Sequence, residues 1–127
     1  MRPNWYSREN EKFDLEKPGI YEWRIEGVGV YVGKAAKLRS RISDYPNNVR
    51  RMLQGLDWHG DPSKDYRPIH HALRHAHDEG ITVTVVVLAN CELGEREELE
   101  RQWIAVRREE HFSGGPEVLN GRKVLNG

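Results

Sequence analysis

The stretch GIYEWRIEGVGVYVG, residues 19–33, decides the fold. Ile20 to Ile25 and Val28 to Val32 alternate in polarity and are rich in β-branched and aromatic residues, the pattern of strands with one buried face. Glu26-Gly27 between them predicts a tight hairpin turn. The two strands carry the triplets Gly19-Ile20-Tyr21 and Tyr31-Val32-Gly33, and pairing them brings two tyrosines near one another. Basic residues follow at once: Lys34, Lys37, Arg39 and Arg41. Paired phenols beside cations suit a site that handles phosphate.

Working outward, residues 35–44 read as a helix, with Leu38 and Ile42 at i,i+4 and Tyr45 extending their face. Pro46 is expected to break it. Asn47-Asn48 can then start another helix, in which Val49, Met52, Leu53 and Leu56 follow amphipathic spacing. Residues 57–67 form a polar loop. Pro68 to Glu79 predicts a helix with Pro68 in its first turn and Gly80 beyond its end. Ile81 to Leu88, ITVTVVVL, predicts a central buried strand. Glu95 to Glu110 predicts a last helix with Leu99, Trp103 and Val106 as its inner stripe. Residues 1–17 are polar and aperiodic, an arm expected to pack as a short helix or irregular cover, so the folded unit is expected over 18–127. The order β-β-α-α-α-β-α implies an α/β (α+β) domain, with a small three-stranded mixed or antiparallel sheet flanked by helices.

At 127 residues, one domain and one core are expected, burying roughly two thirds of the unfolded surface. The formal net charge is zero, which argues against a uniformly basic nucleic-acid binder. The signs are nevertheless segregated. Between positions 34 and 51 the cations are Lys34, Lys37, Arg39, Arg41, Arg50 and Arg51, against Asp44 alone, while acids outnumber bases from Glu92 to Glu110. A basic face is therefore expected. The lone Cys91 excludes an internal disulfide and a cysteine-rich zinc site. The N-terminus has no apolar signal core, which leaves a cytoplasmic location as the expectation.

Phosphodiester hydrolysis needs a base for the attacking water, positive charge for the phosphoryl oxygens, and a metal or acid at the leaving oxygen. Tyr21 and Tyr31 offer a base or hydrogen bonds. Lys34 and Arg41 offer charge. Glu100, at the edge of its helix's apolar stripe, offers a ligand for a divalent cation. His71 and His75, at i,i+4, form a possible ligand pair but lie opposite the Ile69, Ala72, Leu73 and Ala76 stripe, which favours a solvated surface.

This ordered set resembles the GIY-YIG nuclease family. Residues 19–21 match its first triplet, and Tyr31-Val32-Gly33 matches a common variant of the second. The run from Tyr31 to Tyr45 most resembles the incision domain of bacterial excision-repair nucleases, whose lysine, arginine and tyrosine or histidine fall on Lys34, Arg41 and Tyr45. Glu100-Arg101-Gln102-Trp103-Ile104 fits the family's Glu-x-x-Trp-Ile form; Glu97 and Glu98 lack that register. Asn120 fits a Leu-Asn ending, and Asn126 stands in an equivalent local sequence.

The resemblance implies a fold with a three-stranded antiparallel sheet and an endonuclease that binds one Mg²⁺, or Mn²⁺, through Glu100. It implies that Tyr21 acts as, or positions, the general base, its pKa drawn below the ordinary ~10 by Lys34 and the metal. Arg41 is expected to clamp the phosphate, Tyr31 and Tyr45 to hydrogen-bond phosphate or water, and Asn120 to orient or brace the surroundings of Glu100. DNA is the expected partner of a monomer or homodimer, touched by Lys34, Lys37, Arg39, Arg50 and Arg51, with His70 and Arg74 reaching the phosphate backbone. The alternatives are a catalytically silent nucleic-acid-binding module and a repair subunit that cuts only beside a partner.

Overall fold

In the computed structural model, residues 1–9 and 12–121 are described. The chain runs β1 (Ser7–Glu9), β2 (Gly19–Ile25), β3 (Gly29–Ala35), α1 (Leu38–Leu53), α2 (Pro68–Glu79), β4 (Val83–Asn90) and α3 (Arg96–Phe112), with short 3-10 turns at Trp58–Gly60 and Leu93–Glu95. β2 and β3 form the expected hairpin, with Tyr21 opposite Gly33 and Trp23 opposite Tyr31. Val28 N–H donates to the Ile25 carbonyl at 3.0 Å to close the turn.

The sheet has four strands in the order β1-β4-β2-β3, not three. β4 pairs antiparallel with β2 and parallel with β1, so the sheet is mixed. The extra strand comes from the N-terminal arm, expected as a helix or irregular cover. All three residues of β1 are polar and exposed, so no alternation marks the strand. Trp5 and Leu15 on either side of it are buried in the core, which ties the arm to the rest of the fold.

One face of the sheet carries Tyr21, Trp23 and Ile25 of β2 and Val83, Val85 and Val87 of β4. They pack against Leu38, Ile42, Tyr45 and Val49 of α1 and Ile69, Leu73 and Ala76 of α2. α1 continues through Pro46, where a break was expected. An interior proline costs a helix about 3 kcal/mol. Ile42, Tyr45, Pro46, Val49 and Met52 are all buried along one continuous stripe, and each large apolar side chain buried contributes about 1.5–3 kcal/mol. The stripe outweighs the proline.

α3 covers the other face. Glu22 points away from Tyr21 and Trp23, and Arg107 meets it there, Nε to Oε2 at 2.6 Å and Nη2 to Oε1 at 3.3 Å. Arg24 Nε adds a third bond to Glu22 Oε1 at 2.8 Å. Glu22 is 1% exposed, so this is a forked, charge-assisted pair out of water. The Arg107 guanidinium also lies 5.0 Å from the Trp103 ring centroid. α3 has no fully buried residue, and Val106, expected on its inner stripe, is exposed. Leu99, Glu100, Trp103, Ile104 and Arg107 are its half-buried side. Among the described residues no helix is long and apolar enough to cross a membrane.

Candidate active site

Tyr21 comes from β2, Tyr31 and Lys34 from β3, Arg41 and Tyr45 from α1, Glu100 from α3, and Asn120 from the segment after α3. All seven line a single open cavity of about 470 Å³. Arg67, immediately before α2, and Arg96, the first residue of α3, line it too.

Two glycines make the arrangement possible. A Cβ on Gly19 would lie 2.2 Å from the Ala89 carbonyl oxygen, where β4 crosses at the register shift between Ile20 and Tyr21. Gly33 leaves room for the Tyr21 ring itself. Because Gly33 faces Tyr21 across the hairpin, the phenol can lean over it into the cavity and meet the Tyr45 hydroxyl in a hydrogen bond. Tyr45 packs edge-on to Tyr21 and Tyr31, with ring centroids 5.7 Å and 6.4 Å away.

Burial raises the Tyr21 pKa well above 10, and the neighbouring Tyr45 raises it further. The cation that works against this is Arg41, not Lys34 as expected. In the absence of added charge Tyr21 is therefore a phenol. Burial also pushes Tyr31 up to about 12, although Arg67 donates a hydrogen bond to its hydroxyl. Its guanidinium lies 5.9 Å from the same ring's centroid.

Four cations and one carboxylate line the cavity, so it suits an anion. Burial lifts the Glu100 pKa above the ordinary value, with Lys34 opposing the shift. Among the described residues nothing hydrogen-bonds or ion-pairs with the Glu100 carboxylate. Glu97, by contrast, pairs with Lys34 at 3.4 Å and Glu98 pairs with Arg101. Among the described residues no three His, Cys, Asp or Glu side chains gather as a metal cage. A half-buried carboxylate with no hydrogen-bond or ion-pair partner among the described residues, beside a cationic cavity, instead fits Mg²⁺, which keeps most of its waters and takes one or two carboxylates plus a substrate phosphate.

Asn120 works through the backbone. Its Oδ1 accepts from Val32 N–H at 2.8 Å and its Nδ2 donates to the Val32 carbonyl at 2.7 Å. The amide thus clamps the outer edge of β3 between Tyr31 and Gly33. Leu119 N–H donates to the Val30 carbonyl at 2.8 Å and continues the same pairing. Asn126, the other candidate, lies outside the described residues.

The expected nucleic-acid contacts divide. Lys37 and Arg39 are exposed and share Glu16 as a partner. Arg50 donates to Asn47 Oδ1 at 2.6 Å, and Arg51 to the Asp57 carbonyl at 3.1 Å. Surface pairs of this kind hold their cations weakly, typically by 0 to about 1 kcal/mol, so a phosphate can displace them. Arg74 pairs with Asp78 at 3.5 Å and lines no part of the cavity. His70 does not face the phosphate backbone as expected. It is 2% exposed, among the rings of Tyr45, Trp58 and Tyr66. Its position on α2, one residue after Ile69, puts it at the margin of the apolar stripe, where the loop aromatics close over it.

Sequence reasoning missed Arg67 and Arg96. Both stand at a loop-to-helix junction, where no periodicity distinguishes a cavity residue from a solvated one. A second cavity of about 470 Å³ lies beside Glu22 and Arg107, but its buried acid is already neutralised by two arginines. The chain matches no family model, no curated protein and no solved structure.

Proposed function

We propose that this protein is a divalent-metal-dependent DNA endonuclease of the GIY-YIG type that hydrolyses phosphodiester bonds. One observation carries the reading. Seven residues singled out by their order in the sequence, from five separate segments, converge on one cationic cavity whose single carboxylate has no hydrogen-bond or ion-pair partner among the described residues.

The chemistry follows from the groups present. The forks of Arg41 and Arg67 bind the scissile phosphate and offset charge developing on its oxygens. Lys34 adds a point charge beside Glu100. The Tyr21 hydroxyl, held by Tyr45, hydrogen-bonds and orients the attacking water. Its deprotonation is opposed by burial and favoured by Arg41, so its strength as a base rises when further positive charge enters the cavity. When bound at Glu100, Mg²⁺ or Mn²⁺ supplies that charge and stabilises the leaving 3′ oxygen. Asn120 keeps β3, and with it Tyr31 and Lys34, in place. The products carry 5′-phosphate and 3′-hydroxyl ends. One site per chain makes strand nicking the basic reaction.

The test is cleavage of supercoiled plasmid at low salt with Mg²⁺ or Mn²⁺ against EDTA, using wild type and Glu100→Ala. Metal-dependent nicking that disappears in the variant supports the proposal. A folded wild type that binds DNA but never cuts, whatever the metal, overturns it in favour of a binding module.

A further inference from the structure

The active-site cavity is the middle of a trough. On one side it shares Arg41, Tyr45 and Arg67 with a cavity of about 260 Å³. On the other it shares Lys34, Glu100 and Asn120 with a cavity of about 460 Å³ that also takes in Arg101 and Arg108. The two outer cavities have no lining residue in common. The trough is therefore asymmetric, lined by aromatic rings at one end and by none at the other.

The aromatic end has the makings of a built site. Trp58 and His59 contribute rings, with centroids 4.3 Å apart in an edge arrangement. Trp58 is held from behind by His70, 5.1 Å away, and by Tyr66, 5.4 Å away. The Tyr66 hydroxyl is anchored on the Leu56 carbonyl at 2.6 Å. Trp58 is still only half-buried and His59 is exposed, so an aromatic surface remains open. Asn47 and Asn48 add amide donors and acceptors to the same wall. His70 lines this cavity, and its Nδ1 is fully buried without a hydrogen-bond partner, while its Nε2 lies 3.4 Å from Asn48 Nδ2. A buried polar atom of this kind is expensive unless something bonds to it.

We propose that the aromatic end is a nucleobase pocket: it receives one base, unstacked from its neighbours, of a nucleotide adjoining the phosphate held by Arg41 and Arg67. The substrate class is then a strand that is single or locally opened at the cut, rather than an undistorted duplex. The inference rests on the nuclease reading for where the phosphate sits. Shared walls supply the geometry, because the phosphate and its own base are one sugar apart and the two cavities meet at Arg41, Tyr45 and Arg67. Size agrees, since the cavity falls just below that for a drug-sized ligand. Chemistry agrees too. Planar aromatic faces bind any base by stacking, and the side-chain amides of Asn47 and Asn48 offer both donors and acceptors to a base edge. Burial keeps His70 neutral near pH 7.

Binding, not cleavage, tests it. Five-nucleotide single strands with an abasic residue moved through each position are titrated against the uncleaving Glu100→Ala chain. One position is expected to lose about tenfold in affinity when its base is missing. In Glu100→Ala/Trp58→Ala that position should become indifferent to the base, the signature of two groups that act only together. Glu100→Ala/His59→Ala, altered at an exposed residue, serves if the Trp58 variant unfolds. A flat abasic profile, or a position equally sensitive with Trp58 and His59 removed, overturns the pocket. If plasmid nicking is nonetheless metal-dependent, the nuclease reading stands without it. Absence of binding to every strand, with no nicking, removes both.

Discussion

The Tyr21 ring lies across Gly33 so closely that a Cβ on that glycine would sit 2.2 Å from Tyr21 Cζ and 2.3 Å from its hydroxyl oxygen. Gly33→Ala must displace the ring and break its hydrogen bond to Tyr45. Overpacking of this kind costs about 1–3 kcal/mol, read as a lower thermal midpoint. Nicking should fall further than that loss explains, because the phenol leaves its place. Unchanged activity in a folded Gly33→Ala chain would remove Tyr21 from the reaction.

Glu100 is held above the ordinary carboxylate pKa by burial. The fold thus favours its protonated form. That contribution is complete below the unfolded value of 4.5 and is lost as pH rises through the folded value. At neutral pH the charge destabilises the metal-free protein. Glu100→Gln should therefore melt higher than wild type at pH 7 without metal, with the difference closing below pH 4.5. Mg²⁺ at tenfold over its Kd should stabilise wild type by about 1.4 kcal/mol and leave Glu100→Gln unmoved. A variant less stable than wild type at pH 7 would contradict the assigned strain.

His70 is pulled from 6.5 down to about 4, first by burial and then by the charges of Arg67, Arg41, His71 and His59. A depressed pKa contributes stability above the unfolded value, and that stability disappears as pH falls through the folded one. The urea midpoint should drop between pH 6.5 and about 4, by an amount equivalent to about 3 kcal/mol at most. His70→Gln should flatten that part of the profile. A wild-type midpoint constant over the window would place His70 in water instead.

Asn120 presents an acceptor to Val32 N–H and a donor to the Val32 carbonyl. Asn120→Asp keeps the acceptor and loses the donor, leaving the carbonyl unpaired. A loss of about 1–3 kcal/mol is expected, with faster hydrogen exchange at the Val32 amide in Asn120→Ala. Protection at Val32 unaffected by the alanine would mean that β3 holds without the clamp.

The hairpin and α2 were legible in the sequence because local pattern and tertiary burial agree there: the alternation from Ile20 to Ile25, and Pro68 and Gly80 at the ends of α2. That Tyr21, Tyr31, Tyr45, Arg41 and Glu100 gather at one cavity was legible through their order. What escaped was decided by distant partners. Ser7–Glu9 is a strand only because β4 offers an edge to pair with. Pro46 stays helical because its neighbours' burial outweighs its missing donor. His70 and Arg67 owe their positions to a loop, residues 57–67, whose path no periodicity describes.

α3 carries the candidate metal ligand, yet no apolar side chain on it is fully enclosed. Greasy contacts alone would let such a rod roll about its own axis. Glu22 prevents this by gripping Arg107 from the sheet. Arg107 stands seven residues beyond Glu100, two helical turns and about 10 Å along the same side. The azimuth of the Glu100 carboxylate is thus indexed by an ion pair at the middle of β2. Loosening that pair would misaim the carboxylate without altering any residue that touches substrate.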